Sequence, residues 1–156
     1  MKLNRNFEKD IKEIIDFALK GIRKYSPEAA QLVFRTGMAE SGYRQLSQYG
    51  GGPGVGYFQV EENTIRDISE NFLLYRPEQK AMVMGFGFDD TGAIERVKGS
   101  IILQAIFCRY TYWRAPAALP KLNDSKAQAE YWKKWYNTEG GKGTPEHFLE
   151  ANGIMY

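Results

Sequence analysis

The stretch from about residue 93 to residue 113 constrains the fold most. Ile101, Ile102, Ala105, Ile106 and Cys108 follow one another so closely that a helix there is apolar nearly all round. Such a helix has no face to offer water, so it is predicted to run as a single central element with other helices laid against it. The rest of the chain supplies those helices. Over residues 6–24, Ile11, Ile14, Ile15, Ala18 and Ile22 fall at helical spacing while Lys and Glu fill the other face. Ser26-Pro27-Glu28 is a start signal: a capping serine, a proline at the first helical position and an acid in the first turn. That second helix is expected to reach Glu40 and stop near Gly42. A third covers residues 62–74 with Ile65, Ile68 and Phe72 inward, and a short one follows Pro77. Residues 85–90 are a break, Arg114-Ala115-Pro116 ends the central helix, residues 125–136 form another, and a last short helix starts at Pro145.

Residues 43–60 read differently. Gly50, Gly51, Gly52, Pro53, Gly54 and Gly56 are turn material around the extended piece Val55-Gly56-Tyr57-Phe58-Gln59-Val60. Strand alternation there sends Phe58 and Val60 to one side, Tyr57 and Gln59 to the other. The expectation is a mainly α (α+β) chain forming one domain over residues 1–156, a helical lobe with a small irregular β-hairpin lobe. No repeat, low-complexity tract or domain linker divides it.

Composition excludes several function classes. A formal net charge of +2 is too weak for a nucleic-acid partner, though compatible with an anionic polymer. With one cysteine, Cys108, and one histidine, His147, neither an internal disulfide nor a Cys/His zinc site can form, and a nucleophilic triad would have to recruit His147. No nucleophile motif surrounds Ser41, Ser47 or Cys108. No metal or cofactor is implied. The polar N-terminus lacks the apolar stretch of a signal peptide, and no run approaches the roughly 20 apolar residues of a membrane span. The expectation is therefore synthesis in the cytoplasm and no stable membrane insertion.

One acid stands out. Ala29, Val33, Gly37 and Glu40 form one stripe at spacings of four, four and three. Burial on that stripe, together with the negative end of the helix dipole, would raise the Glu40 pKa and keep it a proton donor. Pattern alone leaves a second reading, and favours it: an exposed glutamate at a helix end.

The surrounding residues carry a resemblance. Glu40-Ser41-Gly42-Tyr43, then a glycine-rich segment, then Gly54-Val55-Gly56-Tyr57-Phe58-Gln59-Val60, then Glu62-Asn63-Thr64 resemble the catalytic signature of soluble lytic transglycosylases and goose-type lysozymes. Trp135-Tyr136-Asn137-Thr138 is similar to the later Tyr-Asn-Ala-Gly motif of those enzymes, from which Thr138 and Glu139 depart. The loop's glycine-proline form resembles small bacteriophage versions of the domain. The resemblance implies a lysozyme-like fold with a cleft between the lobes and peptidoglycan glycan strands as partner. Glu40 would be the catalytic acid, Gln59 a glycan-binding residue in the β-lobe, and Tyr136 a substrate-binding residue that stands near the reacting sugar and helps orient Glu40, with Asn137 beside it also binding substrate. Tyr57 would border the cleft on Gln59's side.

Most glycosidases pair two carboxyl groups. No second acid sits at an obvious matching place: Glu61 and Glu62 open a helix, and Asp89 and Asp90 lie in a turn. One carboxyl suits a lytic transglycosylase, which closes a 1,6-anhydro ring instead of adding water. A hydrolytic muramidase, with a loop acid positioning water, is the near alternative. A weakly active wall-binding or virion module and an unrelated protein-binding helical domain are the rivals from other classes. The Gly140-Gly141-Lys142-Gly143-Thr144 run lacks the strand and the hydroxyl residue of a phosphate loop. The enzyme would act on the wall after holin-dependent release or as part of a virion.

Overall fold

A computed structural model of the chain describes residues 2–44, 52–138 and 140–155. It is mainly helical with one small antiparallel two-stranded sheet. In order, the elements are α1 (Arg5–Gly21), α2 (Pro27–Glu40), β1 (Gly54–Val55), β2 (Val60–Glu61), α3 (Glu62–Asp67), α4 (Pro77–Met84), α5 (Ala93–Lys98), α6 (Ile101–Trp113), α7 (Ser125–Trp132) and α8 (Pro145–Ala151). Among the described residues, no helix is long and apolar enough to cross a membrane.

Local caps set the helix starts. The Asn4 side chain accepts from the Asn6 and Phe7 amides to open α1. The Ser26 hydroxyl accepts from Ala29 N at 3.0 Å to open α2. α1 packs against α2 and α6, α2 also against α6 and α8, and α7 against α8. From Leu103 to Cys108, every residue of α6 is buried, as its all-round apolar character requires.

The single helix expected over residues 93–113 is two. Gly99 and Ser100 separate α5 from α6, and the Ser100 hydroxyl caps α6 by accepting from Leu103 N at 3.1 Å. Glycine weakens a helix interior and serine starts a new one, so the chain turns there. Two other expected helices change gauge instead of breaking. After Asp67 the coil widens to a π turn over Ile68–Phe72 and tightens to a 3₁₀ turn over Leu73–Tyr75. After Trp132 it widens over Lys133–Asn137. Such turns rotate the following side chains out of α register, and this one sets the direction of Tyr136 and Asn137.

The sheet pairs Gly54 with Glu61 and Val55 with Val60. The expected strand through Tyr57 and Gln59 is absent, because residues 56–59 form the turn that joins β1 to β2. Gly56 (φ +73°) and Gln59 (φ +51°) take the left-handed conformations that close it. The tip is moored to the core by the buried Gln104. Its Oε1 accepts from Tyr57 N at 3.2 Å, and its Nε2 donates to the carbonyls of Val97 (3.0 Å) and Lys98 (3.1 Å). A Cβ at Gly56 would collide with the Gln104 side chain. Phe58 and Val60 are buried in the core.

A polar zipper joins α2 to α7. Arg35 donates to Gln128 Oε1 at 2.7 Å and to Ser125 Oγ at 3.0 Å, and Gln128 Nε2 donates to Gln31 Oε1 at 2.8 Å. With Gln128 fully buried, this network fixes the two helices side by side. It brings the end of α7 opposite the end of α2.

Candidate active site

Ser41, Gly42 and Tyr43 each have a task in ending α2. Gly42 (φ +61°) reverses the chain, its amide donating to the Gly37 and Met38 carbonyls. Gly37 leaves room for the Tyr43 ring, into which any Cβ there would run. The Tyr43 hydroxyl donates to Phe34 O at 2.7 Å. The Ser41 hydroxyl donates to Tyr57 O at 2.6 Å and accepts from Tyr43 N at 3.0 Å. One side chain thus ties the helix end to the hairpin.

Glu40 projects from that helix end into a cavity of about 770 Å³. The buried stripe of Ala29, Val33 and Gly37 leads up to it. Its Oε2 accepts from the Trp132 indole Nε1 at 2.9 Å. Burial pushes its pKa up to about 7, the indole hydrogen bond holds it down, and the charge of Glu61 pushes it up. Because the N–H is aimed at Oε2, the proton of the neutral acid belongs on Oε1. A group that titrates near neutrality can give a proton and take one back.

Trp132 was not singled out among the site residues from the sequence. It is 1% exposed and packs on Phe148, with ring centroids 5.5 Å apart. In the sequence Trp132 stands four residues before Tyr136, a spacing that α geometry would put on one face, although the coil here widens over Lys133–Asn137.

Gln59 lines the cavity, but from the turn and not from a strand, and its amide nitrogen is already engaged, donating to Gly56 O at 2.8 Å. Its carbonyl oxygen and its second amide proton are left for a ligand, and a Cβ at Gly54 would strike that side chain. Tyr136 also lines the cavity. Its hydroxyl donates to Phe58 O at 2.6 Å and its ring stacks on Tyr112 at 5.0 Å, so it braces the hairpin and forms no hydrogen bond with Glu40. Burial keeps its phenol protonated. Asn137 lines the wall with Oδ1 accepting from Lys133 Nζ at 2.9 Å. The same ammonium donates to the carbonyls of Thr138 (2.8 Å) and Gly141 (3.0 Å).

Tyr57 does not line the cavity. It lies half-buried against Tyr43, with ring centroids 5.6 Å apart, because the turn at Gly56 points it at the helix end. Glu61 and His147 are among the cavity-lining residues to which the sequence gives no site role. The His147 Nε2 lies 2.9 Å from the Ala39 carbonyl, which fixes Nε2 as the protonated nitrogen. Gly50, Gly51 and Glu139 fall outside the described residues. Among those described, no group of three His, Cys, Asp or Glu side chains is arranged to hold a metal ion.

The arrangement provides one proton-exchanging carboxyl, a second acid in the same wall and a polar hollow large enough for sugar rings. No protein-family model, curated protein or solved structure matches the chain.

Proposed function

We propose that this chain is a lysozyme-like lytic transglycosylase that cleaves the β-1,4 bond between N-acetylmuramic acid and N-acetylglucosamine in peptidoglycan. The observation that carries the reading is Glu40, a half-buried carboxyl with a pKa of about 7 at the wall of a 770 Å³ cavity. Motif residues surround it: Ser41 and Tyr43 hold its helix end, and Gln59 and Tyr136 share its cavity.

In the proposed reaction, Glu40 Oε1 gives its proton to the glycosidic oxygen and the bond to the muramic C1 breaks. Positive charge grows on that sugar as Glu40 becomes a carboxylate. The carboxylate then takes the proton of the C6 hydroxyl while its oxygen bonds to C1. The 1,6-anhydro ring closes and the acid is restored. The Trp132 N–H stabilises the ionised intermediate form of Glu40. Wall lysis or penetration by a bacteriophage is the setting this chemistry suits, with release through a holin lesion or carriage in the virion.

Glu61 favours a second reading. It lines the same cavity and its charge acts on Glu40, as expected of a base that positions water in a hydrolytic muramidase. Mass analysis of digested sacculi separates the two: anhydro-muropeptides mean ring closure, reducing-end muropeptides mean hydrolysis. Glu40→Gln abolishes cleavage in either case. A fully active, folded Glu40→Gln protein would sink both readings.

A further inference from the structure

Apart from the Glu40 cavity, and sharing no lining residue with it, a groove of about 480 Å³ opens between the end of α1, the start of α4 and the end of α6. Cations crowd it. The Lys24 ammonium lies 3.9 Å from the centre of the Trp113 ring. The Arg76 guanidinium lies 5.2 Å from the same ring and 3.8 Å from that of Phe72. Arg23 stands beside them, exposed, with φ +56°, a conformation asparagine or glycine would take more easily. Arg109 packs behind, its Nε donating to Lys24 O at 3.0 Å.

Lys9, Lys12, Arg66, Lys80, Lys98 and Arg114 pair with acids; among the described residues Arg23, Lys24, Arg76 and Arg109 pair with none, as is also true of Arg35 and Lys133, but these four are gathered at one groove. Glu78 lines the groove but is exposed and paired with none of the four. The like charges of Arg109 and Arg76, after burial, hold the Lys24 ammonium below its ordinary pKa. The start of α4, with Pro77 at its first turn and no side-chain cap, adds the positive end of a helix dipole. Among the described residues, the fold therefore gathers charge here that no acid pairs with.

We propose that the groove binds a phosphate-type oxyanion. Arg76 Nη1 already donates to Phe72 O at 2.8 Å, so its remaining N–H groups would supply the donors and Lys24 a point charge, with Trp113 as the floor that keeps both heads in place. A multiply charged anion fits better than a single carboxylate, which would leave most of the cluster uncompensated. Its source is either a soluble phosphate polyanion or a phospholipid headgroup.

The full chain is titrated calorimetrically with inorganic pyrophosphate, and separately sedimented with vesicles of phosphatidylglycerol in phosphatidylcholine. Binding is expected in at least one arm, weakening with salt. Arg76→Met and Lys24→Met should each weaken it about tenfold or more, with Arg76→Lys recovering part of the loss. Arg23→Asn provides a variant whose backbone suits the new residue, so weakened binding there is not a folding defect. Glu40→Gln should bind like the wild type. Pyrophosphate binding identifies a soluble source, and vesicle binding without it a headgroup. Silence in both arms, or binding unchanged in all three charge-removing variants, overturns the proposal.

Discussion

In the folded chain the Glu40 carboxyl keeps its proton to about pH 7, against 4.5 for an unperturbed glutamate. Well below pH 4.5 the group is neutral in both the folded and unfolded states. As the pH rises through 4.5, the unfolded chain releases the proton while the folded chain retains it. The folded state then binds more protons, so stability falls with pH until both forms are ionised just above 7. At about 1.4 kcal/mol per pH unit, the interval from 4.5 to 7 amounts to about 3 kcal/mol. That is an upper figure, because the residue is only half-buried and open to the cavity. Glu40→Gln does not titrate and still offers an oxygen to Trp132. Its stability relative to the wild type should therefore rise by up to about 3 kcal/mol between pH 4 and pH 8. In a chain of this size the gap in Tm would move by about 6–12 °C. Urea and thermal unfolding of both proteins at closely spaced pH values measures this without any substrate. Parallel stability curves would refute the claim that the fold resists ionisation of Glu40.

Three further outcomes follow from the same geometry. Trp132→Phe removes the donor that holds the Glu40 pKa down, so a carbon-detected NMR titration should find it higher than in the wild type; an unchanged or lower value would show that the indole does not tune the acid. Ser41→Ala breaks the bond to Tyr57 O and should cost about 1–2 kcal/mol in urea unfolding, with faster amide exchange in the hairpin; undiminished protection would contradict the tie. Gly54→Ala drives a Cβ into the Gln59 side chain and should lower stability by about 1–3 kcal/mol; no loss on thermal unfolding would mean that Gln59 is not packed there.

Signals carried by neighbouring residues were legible in the sequence. Ser26-Pro27-Glu28 opens a helix by local bonds, Gly42 ends it by its own backbone freedom, and the apolar face of α6 is apolar wherever the helix lies. Gly99-Ser100 was missed because a two-residue interruption leaves the hydrophobic period on either side intact. The hairpin was misread where glycine and glutamine adopt positive φ, since alternation assumes extended backbone throughout. Contacts between distant segments left no periodic trace. The Trp132 indole meets Glu40 across 92 residues, and the His147 ring meets Ala39 across 108. Glu61 was read as a helix-opening acid, and only the closing of the hairpin against α2 turns it toward Glu40.

The Ser41 hydroxyl is a short, stiff fastener: with a single rotatable bond it clamps the acid-bearing helix end to the hairpin. Across the hollow, the wall at Thr138 and Gly141 hangs from the Lys133 ammonium on a four-carbon stem. Compliance is therefore lopsided. A bulky guest would meet the more compliant wall at Thr138 and Gly141, away from the clamped helix end that carries Glu40.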